Sequence, residues 1–402
     1  MTARRLARFD ALAVTALVWF LGKFLRYAFP PLFGTLGDTY GVSRTALGTA
    51  FTGFMVVYAA LQFPSGALAD RFGGVPVIAT GSVLTSLGAL ALVVDSPFFV
   101  LVAAMLLLGA GTGTTKTVAV DLLARIYPAR TGRALGVFDT VGALAGAAAP
   151  AAVVAVAASP VVFGAPWRTL FLAGGLAGLA LTLAFLARVP KRLPDRSLAA
   201  TTDDGAGAAL RAHLVLFRRP RLAAFVAVTV LFSFAYNGAV AFLPLYLAGE
   251  TALSETTANL LFSALFLASL VQLLTGEASD RVGTLPVLAL TLAVATAGLG
   301  AVVALSATGG VVVLGGAVVA LGLGAHGYRP VRGAYLMAVL PEGVTSGGLG
   351  VVRTLLMTAG AASPVVIGYL SETAGFGPAF GLLGAAMAAA TALALGLLVT
   401  DR

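Results

Sequence analysis

Cysteine is absent from the 402 residues, so disulfides, thiol chemistry and cysteine-bound metals are excluded. Histidine occurs twice, as His213 and His326, too few for an imidazole metal cluster, and no metal or organic cofactor is expected. Charge is scarce. Asp, Glu, Lys and Arg make up 10% of the chain, where a soluble domain carries about 25%. Paired carboxylates on one helix and a His/Cys/Asp constellation are both missing, which argues against a membrane enzyme. Long polar stretches are missing too, except at 189–219. What remains is 59% hydrophobic, the composition of an all-α polytopic membrane protein. The net charge of +9 raises a nucleic-acid partner, but the placement of the basic residues excludes it.

A helix crosses the bilayer in about 20 apolar residues. Twelve stretches qualify: 9–34, 44–69, 75–95, 98–126, 133–158, 166–188, 220–247, 256–278, 285–306, 310–339, 346–371 and 377–399. Turn residues separate them, among them Gly37-Asp38, Gly73-Gly74, Ser159-Pro160 and Gly309-Gly310. Residues 189–219, rich in Arg, Pro, Asp and Gly, read as a cytoplasmic linker. It divides the chain into a first bundle of six helices, 1–188, and a second, 220–402. Arg4, Arg5 and Arg8 before the first run mimic a signal peptide. That run is too long and is interrupted by Lys23 and Arg26, so an uncleaved first helix is expected. Arg71, the group Arg125, Arg130 and Arg133, the linker, Arg281 and Arg402 share the side of the N-terminal arginines. The other side has Arg44 and Arg168 among acids such as Asp38, Asp95, Glu250 and Glu372. The basic excess is therefore topogenic. It predicts a multi-pass protein of the cell membrane with both termini cytoplasmic.

Six cations remain inside the spans: Lys23, Arg26, Lys116, Arg329, Arg332 and Arg353. Each costs roughly 2.5–3.5 kcal/mol on insertion, and the deep acids Asp121 and Asp139 are too few to neutralise them. A small anionic substrate is the expected counter-charge. Arg26 suits bidentate recognition of a carboxylate or phosphate, and Lys23 is one turn away on the same helix face. Tyr27, Tyr236, Asn237, His326 and Tyr328 are further candidates for ligand contact, or else buried polar groups satisfied by neighbouring helices, as are Gln62 and Gln272. Asp121, five residues after Lys116, either carries a coupling proton or neutralises a cation. Gly109-Ala-Gly-Thr-Gly-Thr-Thr-Lys116 looks like a phosphate-binding loop but lacks the glycine before lysine. Its glycines are expected to pack helices tightly.

The chain repeats itself. Gly66-Ala-Leu-Ala-Asp70-Arg71-Phe-Gly73 recurs as Gly276-Glu-Ala-Ser-Asp280-Arg281-Val-Gly283, 210 residues on. Leu135-Gly-Val-Phe-Asp139 recurs as Leu349-Gly-Val-Val-Arg353, and Gly109-Ala-Gly111 as Gly322-Leu-Gly324, at offsets of 214 and 213. An offset of six helices means a parallel duplication about an axis along the membrane normal. Gly66 and Gly73 are expected to permit close helix approach and a tight turn, and Asp70 to meet a neighbouring helix N-terminus.

The Gly-x-x-x-Asp-Arg-x-Gly signature after helices 2 and 8 of a duplicated twelve-helix chain resembles the major facilitator superfamily. The resemblance implies two pseudo-twofold-related six-helix bundles, a monomer, and alternating access with substrate held between the halves. Lys23, Arg26, Lys116 and Arg329 would converge there. It implies gating by Gly66, Asp70, Arg71, Gly73, Gly276, Asp280, Arg281 and Gly283. It also implies cross-half pairs of Asp121 or Asp70 with Arg353, and of Asp139 with Arg332, in the outward-facing state. The charge pattern looks like the anion:cation symporter and organophosphate branches, which implies a proton-coupled carrier of a small organic anion with Asp121 as coupling acid. The alternative is a broad-specificity efflux antiporter, suggested by Gly142-x-x-x-Gly146 on helix 5. A net basic interior argues against it.

Overall fold

The computed structural model describes residues 9–161, 163–193, 220–339 and 345–400, with the backbone alone over 345–351. Most of the connection at 189–219 lies outside them, His213 included. Among the described residues there are twelve helices long and apolar enough to cross a membrane, and no strand. They are α1 (Asp10–Tyr40), α2 (Arg44–Phe72), α3 (Gly74–Ala91), α4 (Phe98–Ile126), α5 (Thr131–Ala157), α6 (Pro166–Arg188), α7 (Pro220–Glu250), α8 (Glu255–Val282), α9 (Thr284–Ala304), α10 (Val311–Val339), α11 (Thr345–Thr373) and α12 (Phe376–Thr400). A bilayer core leaves backbone groups no water, so each span satisfies itself as a helix. The chain divides into two compact units, Met1–Arg196 and Ser197–Arg402.

The duplication read from the motifs is present in the packing. In the first unit α1 packs on α5 and α6, α2 on α4, and α3 on α4 and α6; in the second, α7 packs on α11 and α12, α8 on α10, and α9 on α10 and α12. Glycines set the closest of these approaches. A Cβ at Gly109 would lie 2.5 Å from the Phe54 carbonyl oxygen of α2, and one at Gly111 2.2 Å from the Gly81 carbonyl oxygen of α3. The repeat-related Gly322 and Gly324 would strike the Leu265 oxygen of α8 at 2.5 Å and the Ala295 nitrogen of α9 at 2.3 Å. The phosphate-loop lookalike is thus a two-sided packing surface, with small residues letting backbones meet.

The signature glycines divide in role. Gly73 (φ 91°) and Gly283 (φ 95°) end α2 and α8 in backbone that side chains resist. Gly66 and Gly276 correct the expectation of close approach, because a Cβ at either would meet nothing within 4 Å. The turn expected at Gly37-Asp38 also moves. Here α1 runs on to Tyr40 and stops at Gly41, in left-handed backbone at φ 61°, whose N–H donates to Gly37 O. In α8 a 3-10 turn at Ala268–Val271 separates α-helical Glu255–Leu267 from Gln272–Val282.

At the end of the first unit away from the N-terminus, Arg168 is buried and donates to Phe163 O at 2.9 Å and to Asp95 Oδ1 at 2.5 Å. The pair is lopsided, because the arginine side chain is 5% exposed and the aspartate 87%. Asp95 thus answers one of the two basic residues that the sequence places among the acids.

Two outcomes follow from this packing. Gly111→Val should lower the thermal midpoint of the purified protein by several degrees, since overpacking costs about 1–3 kcal/mol, whereas Gly66→Ala should leave it unchanged or raise it. Equal effects of the two would remove the packing distinction. Asp95→Ala should be costlier than Arg168→Leu. The first strands a buried cation at about 3–5 kcal/mol, while the second leaves an exposed carboxylate already in solvent. Thermal unfolding of the two variants ranks them directly.

Candidate functional site: membrane cations on aromatic faces

Residues 19, 23 and 26 of α1 follow one another at spacings of four and three, so Trp19, Lys23 and Arg26 share a helix face. The Lys23 ammonium lies 5.6 Å from the Trp19 ring centroid and 5.7 Å from that of Tyr27. The Arg26 guanidinium is ringed by Tyr27 at 5.5 Å, Phe54 at 5.8 Å and Tyr58 at 5.5 Å, the last two from α2. Arg26 meets no carboxylate among the described residues, and its buried Nε has no hydrogen-bond partner. Ring faces attract a guanidinium but offer its N–H fork no lone pairs in plane.

Lys116 enters from α4. Its ammonium lies 5.4 Å from the Trp19 ring and 4.9 Å from the Phe138 ring of α5, and it pairs with Asp139. Trp19 and Phe138 stack at 5.7 Å and 17°. The indole fits because α5 presents Gly142, where a Cβ would lie 2.2 Å from Trp19 Nε1 and 3.4 Å from Lys23 Cδ. The glycine that suggested an antiporter motif therefore seats the indole that carries both lysines.

The structure corrects the sequence reading of the acids. Lys116 is not an uncompensated cation, since Asp139 answers it within the same unit. Asp121 does not neutralise Lys116. Five residues are about 140° around a helix, and Asp121 is 69% exposed, 3.8 Å from Arg125. Asp139, expected against Arg332, is engaged by Lys116 because α4 and α5 are neighbours and both residues sit at similar depth. Arg353 is exposed on α11. Asp70, Arg71, Asp280 and Arg281 are exposed at their helix ends, Arg71 over Phe72 at 5.2 Å and Arg281 paired with Glu277.

The second unit gathers its own set on α7 and α10. The Arg329 guanidinium lies 4.6 Å from the Tyr236 ring centroid, and Tyr236 Oη is 3.5 Å from His326 Nε2. Tyr328 shares a 3.2 Å hydrogen bond with Thr229, and Arg332 lies 5.9 Å over its ring. His326, Tyr236 and Tyr328 are buried. Two candidates are spent locally: the Asn237 amide donates to Ser233 O at 2.8 Å, and Gln272 to Ser269 O at 3.0 Å.

Sequence reasoning missed Trp19, Phe54, Tyr58, Phe138 and the role of Gly142. One signal was available for Trp19: it is one of two tryptophans and stands four residues before Lys23.

The sequence profile of the Major Facilitator Superfamily matches residues 15–254 and again 227–402. A relative named "Probable sulfoacetate transporter SauU", from Cupriavidus necator, is 28% identical over 205 residues. That alignment spans 51% of this chain and about half of the relative, 46%. Among solved structures, a D-xylose-proton symporter aligns with a TM-score of 0.79 at 14% identity, covering 96% of this chain and 97% of that one. A bacterial homologue of the human lysosomal transporter Spinster, inward-facing and occupied, aligns with a TM-score of 0.78 at 14% identity, covering 97% and 96%. At such identities the likeness shows the fold. The duplicated packing, the paired signature loops and the profile match across both halves agree: this multi-pass membrane protein belongs to the major facilitator superfamily.

Proposed function

We propose that the transported solute is a small organic anion with two acidic groups, moved by secondary active transport across the cell membrane, with both termini on the cytoplasmic side. The observation that carries this reading is Arg26, a membrane-embedded guanidinium held on three rings, with a buried, unpartnered Nε and no carboxylate against it among the described residues. Around it, among the described residues, the first unit brings Lys23 and Lys116 together with Asp139, so the cluster is rich in basic side chains. The relative named for sulfoacetate, a two-carbon carboxylate-sulfonate, supports the choice of a dianion. A cationic drug would meet charge of its own sign.

Coupling to protons belongs to the same reading. Inward movement of a dianion against 100 mV, negative inside, costs about 4.6 kcal/mol. Each co-transported proton offsets about half of it.

Purified protein in liposomes should take up labelled sulfoacetate and exchange it in counterflow. Arg26→Ala should reduce both about 100-fold or more, the scale of removing one partner from a buried charge-assisted contact. Arg26→Lys should not restore the rate, because an ammonium lacks the planar fork. Thermal stability should change little. Wild-type uptake in Arg26→Ala would refute the site, and uptake of organic cations in place of dianions would refute the substrate class.

A further inference from the structure

Lys116 is enclosed on three sides. The rings of Trp19 and Phe138 cover two, and the Asp139 carboxylate takes the third. The lysine side chain is 20% exposed within this cage, while the aspartate is 61% exposed. A second anion reaching the ammonium must take the place of the carboxylate, because two negative charges side by side on one cation repel.

We propose that Asp139 is the proton-coupling acid of this carrier: its carboxylate and the transported anion compete for the Lys116 ammonium, and protonation of Asp139 yields Lys116 to the anion. The inference rests on the anion reading of the same cluster. In the empty carrier Asp139 is ionised and holds Lys116. A proton from the side that the site faces binds an Asp139 carboxylate oxygen, the ion pair opens, and the anion takes the ammonium. When the anion leaves, the carboxylate reclaims Lys116 and the proton departs on that side. One proton thus accompanies each anion.

The helices packed on α5 carry the other charges that bear on Asp139. From α1 come Lys23, Arg26 and Tyr27, with Asp10, bound to Arg192, at one end and the exposed Asp38 near the other. From α4 come Lys116, and Asp121 with Arg125, turned away. The charged residues of α6, Arg168 and Arg188, stand at its two ends, and Arg133 lies at the start of α5. Among the described residues of the first unit, the other groups facing the cluster are lysine, arginine and tyrosine, and Asp139 is the carboxylate among them.

Trp19 reports on this pair. The chain has two tryptophans, so Trp167→Phe makes the indole beneath Lys116 the sole emitter. In that background, without ligand, Trp19 emission should titrate as a single group. Asp121→Asn should keep the titration and Asp139→Asn should abolish it; Asp139→Glu should restore it, which separates loss of the acid from loss of fold. No titration in the parent, or a titration that survives in Asp139→Asn, overturns the assignment. In liposomes, Asp139→Asn should keep sulfoacetate counterflow and lose accumulation driven by a pH gradient. Its affinity for sulfoacetate should no longer fall about tenfold per pH unit, as one linked proton requires. Retained pH-driven accumulation in Asp139→Asn overturns the proposal as well. If the parent titrates as expected but transports no dianion, the substrate reading has failed and the coupling proposal falls with it, leaving Asp139 as a titrating latch.

Discussion

In a hydrocarbon slab a cation must be answered, and in this protein aromatic faces answer where acids are lacking. Each such contact contributes about 0.5–2 kcal/mol, less than a buried carboxylate would, and that shortfall is informative. A ring stabilises the cation without consuming its hydrogen bonds. Trp19, Tyr27, Phe54, Tyr58 and Phe138 hold Lys23, Arg26 and Lys116 in the membrane. Among the described residues, the buried Arg26 Nε keeps its N–H without a partner. The same solution recurs in the second unit, with Arg329 on Tyr236 and Arg332 on Tyr328.

The scaffold that presents these rings is symmetric, and the charges on it are not. Gly109 and Gly111 are matched in contact by Gly322 and Gly324, so α4 and α10 approach their neighbours alike. Lys116 and Arg329 occupy related positions on those two helices, yet one pairs with an acid and the other lies on a tyrosine. Duplication supplied two copies of a packing core. Function was written into them by side chains that the core does not constrain.

Much of this was legible in the sequence, because membrane insertion imposes strong rules. Span length, glycine turns and the position of Lys and Arg place twelve helices, and α4 and α6 begin and end where the hydropathy does. Repeat offsets predict the shared packing. Partner choice was harder to read. Lys116 with Asp139 is a contact between adjacent antiparallel helices at equal depth, and counting from the connecting turn at Pro128 would have found it. Nothing local marks Gly142 as the seat of Trp19, since the spacing of two glycines does not say which faces an aromatic ring. Gly66 shows the converse: a residue fixed by a motif need not be fixed by packing.

The short 3-10 turn in α8 has a geometric consequence. Four residues wound at three per turn rather than 3.6 advance the helix by about 80° more than an α-helix would. The segment after Ala268–Val271 carries Asp280 and Arg281, so their side chains are swung around the α8 axis by that angle. The unbroken α2 carries Asp70 and Arg71 without such a twist. Two loops that share Gly, Asp, Arg and Gly at one spacing and differ at the other four positions are thereby turned differently about their own helix axes.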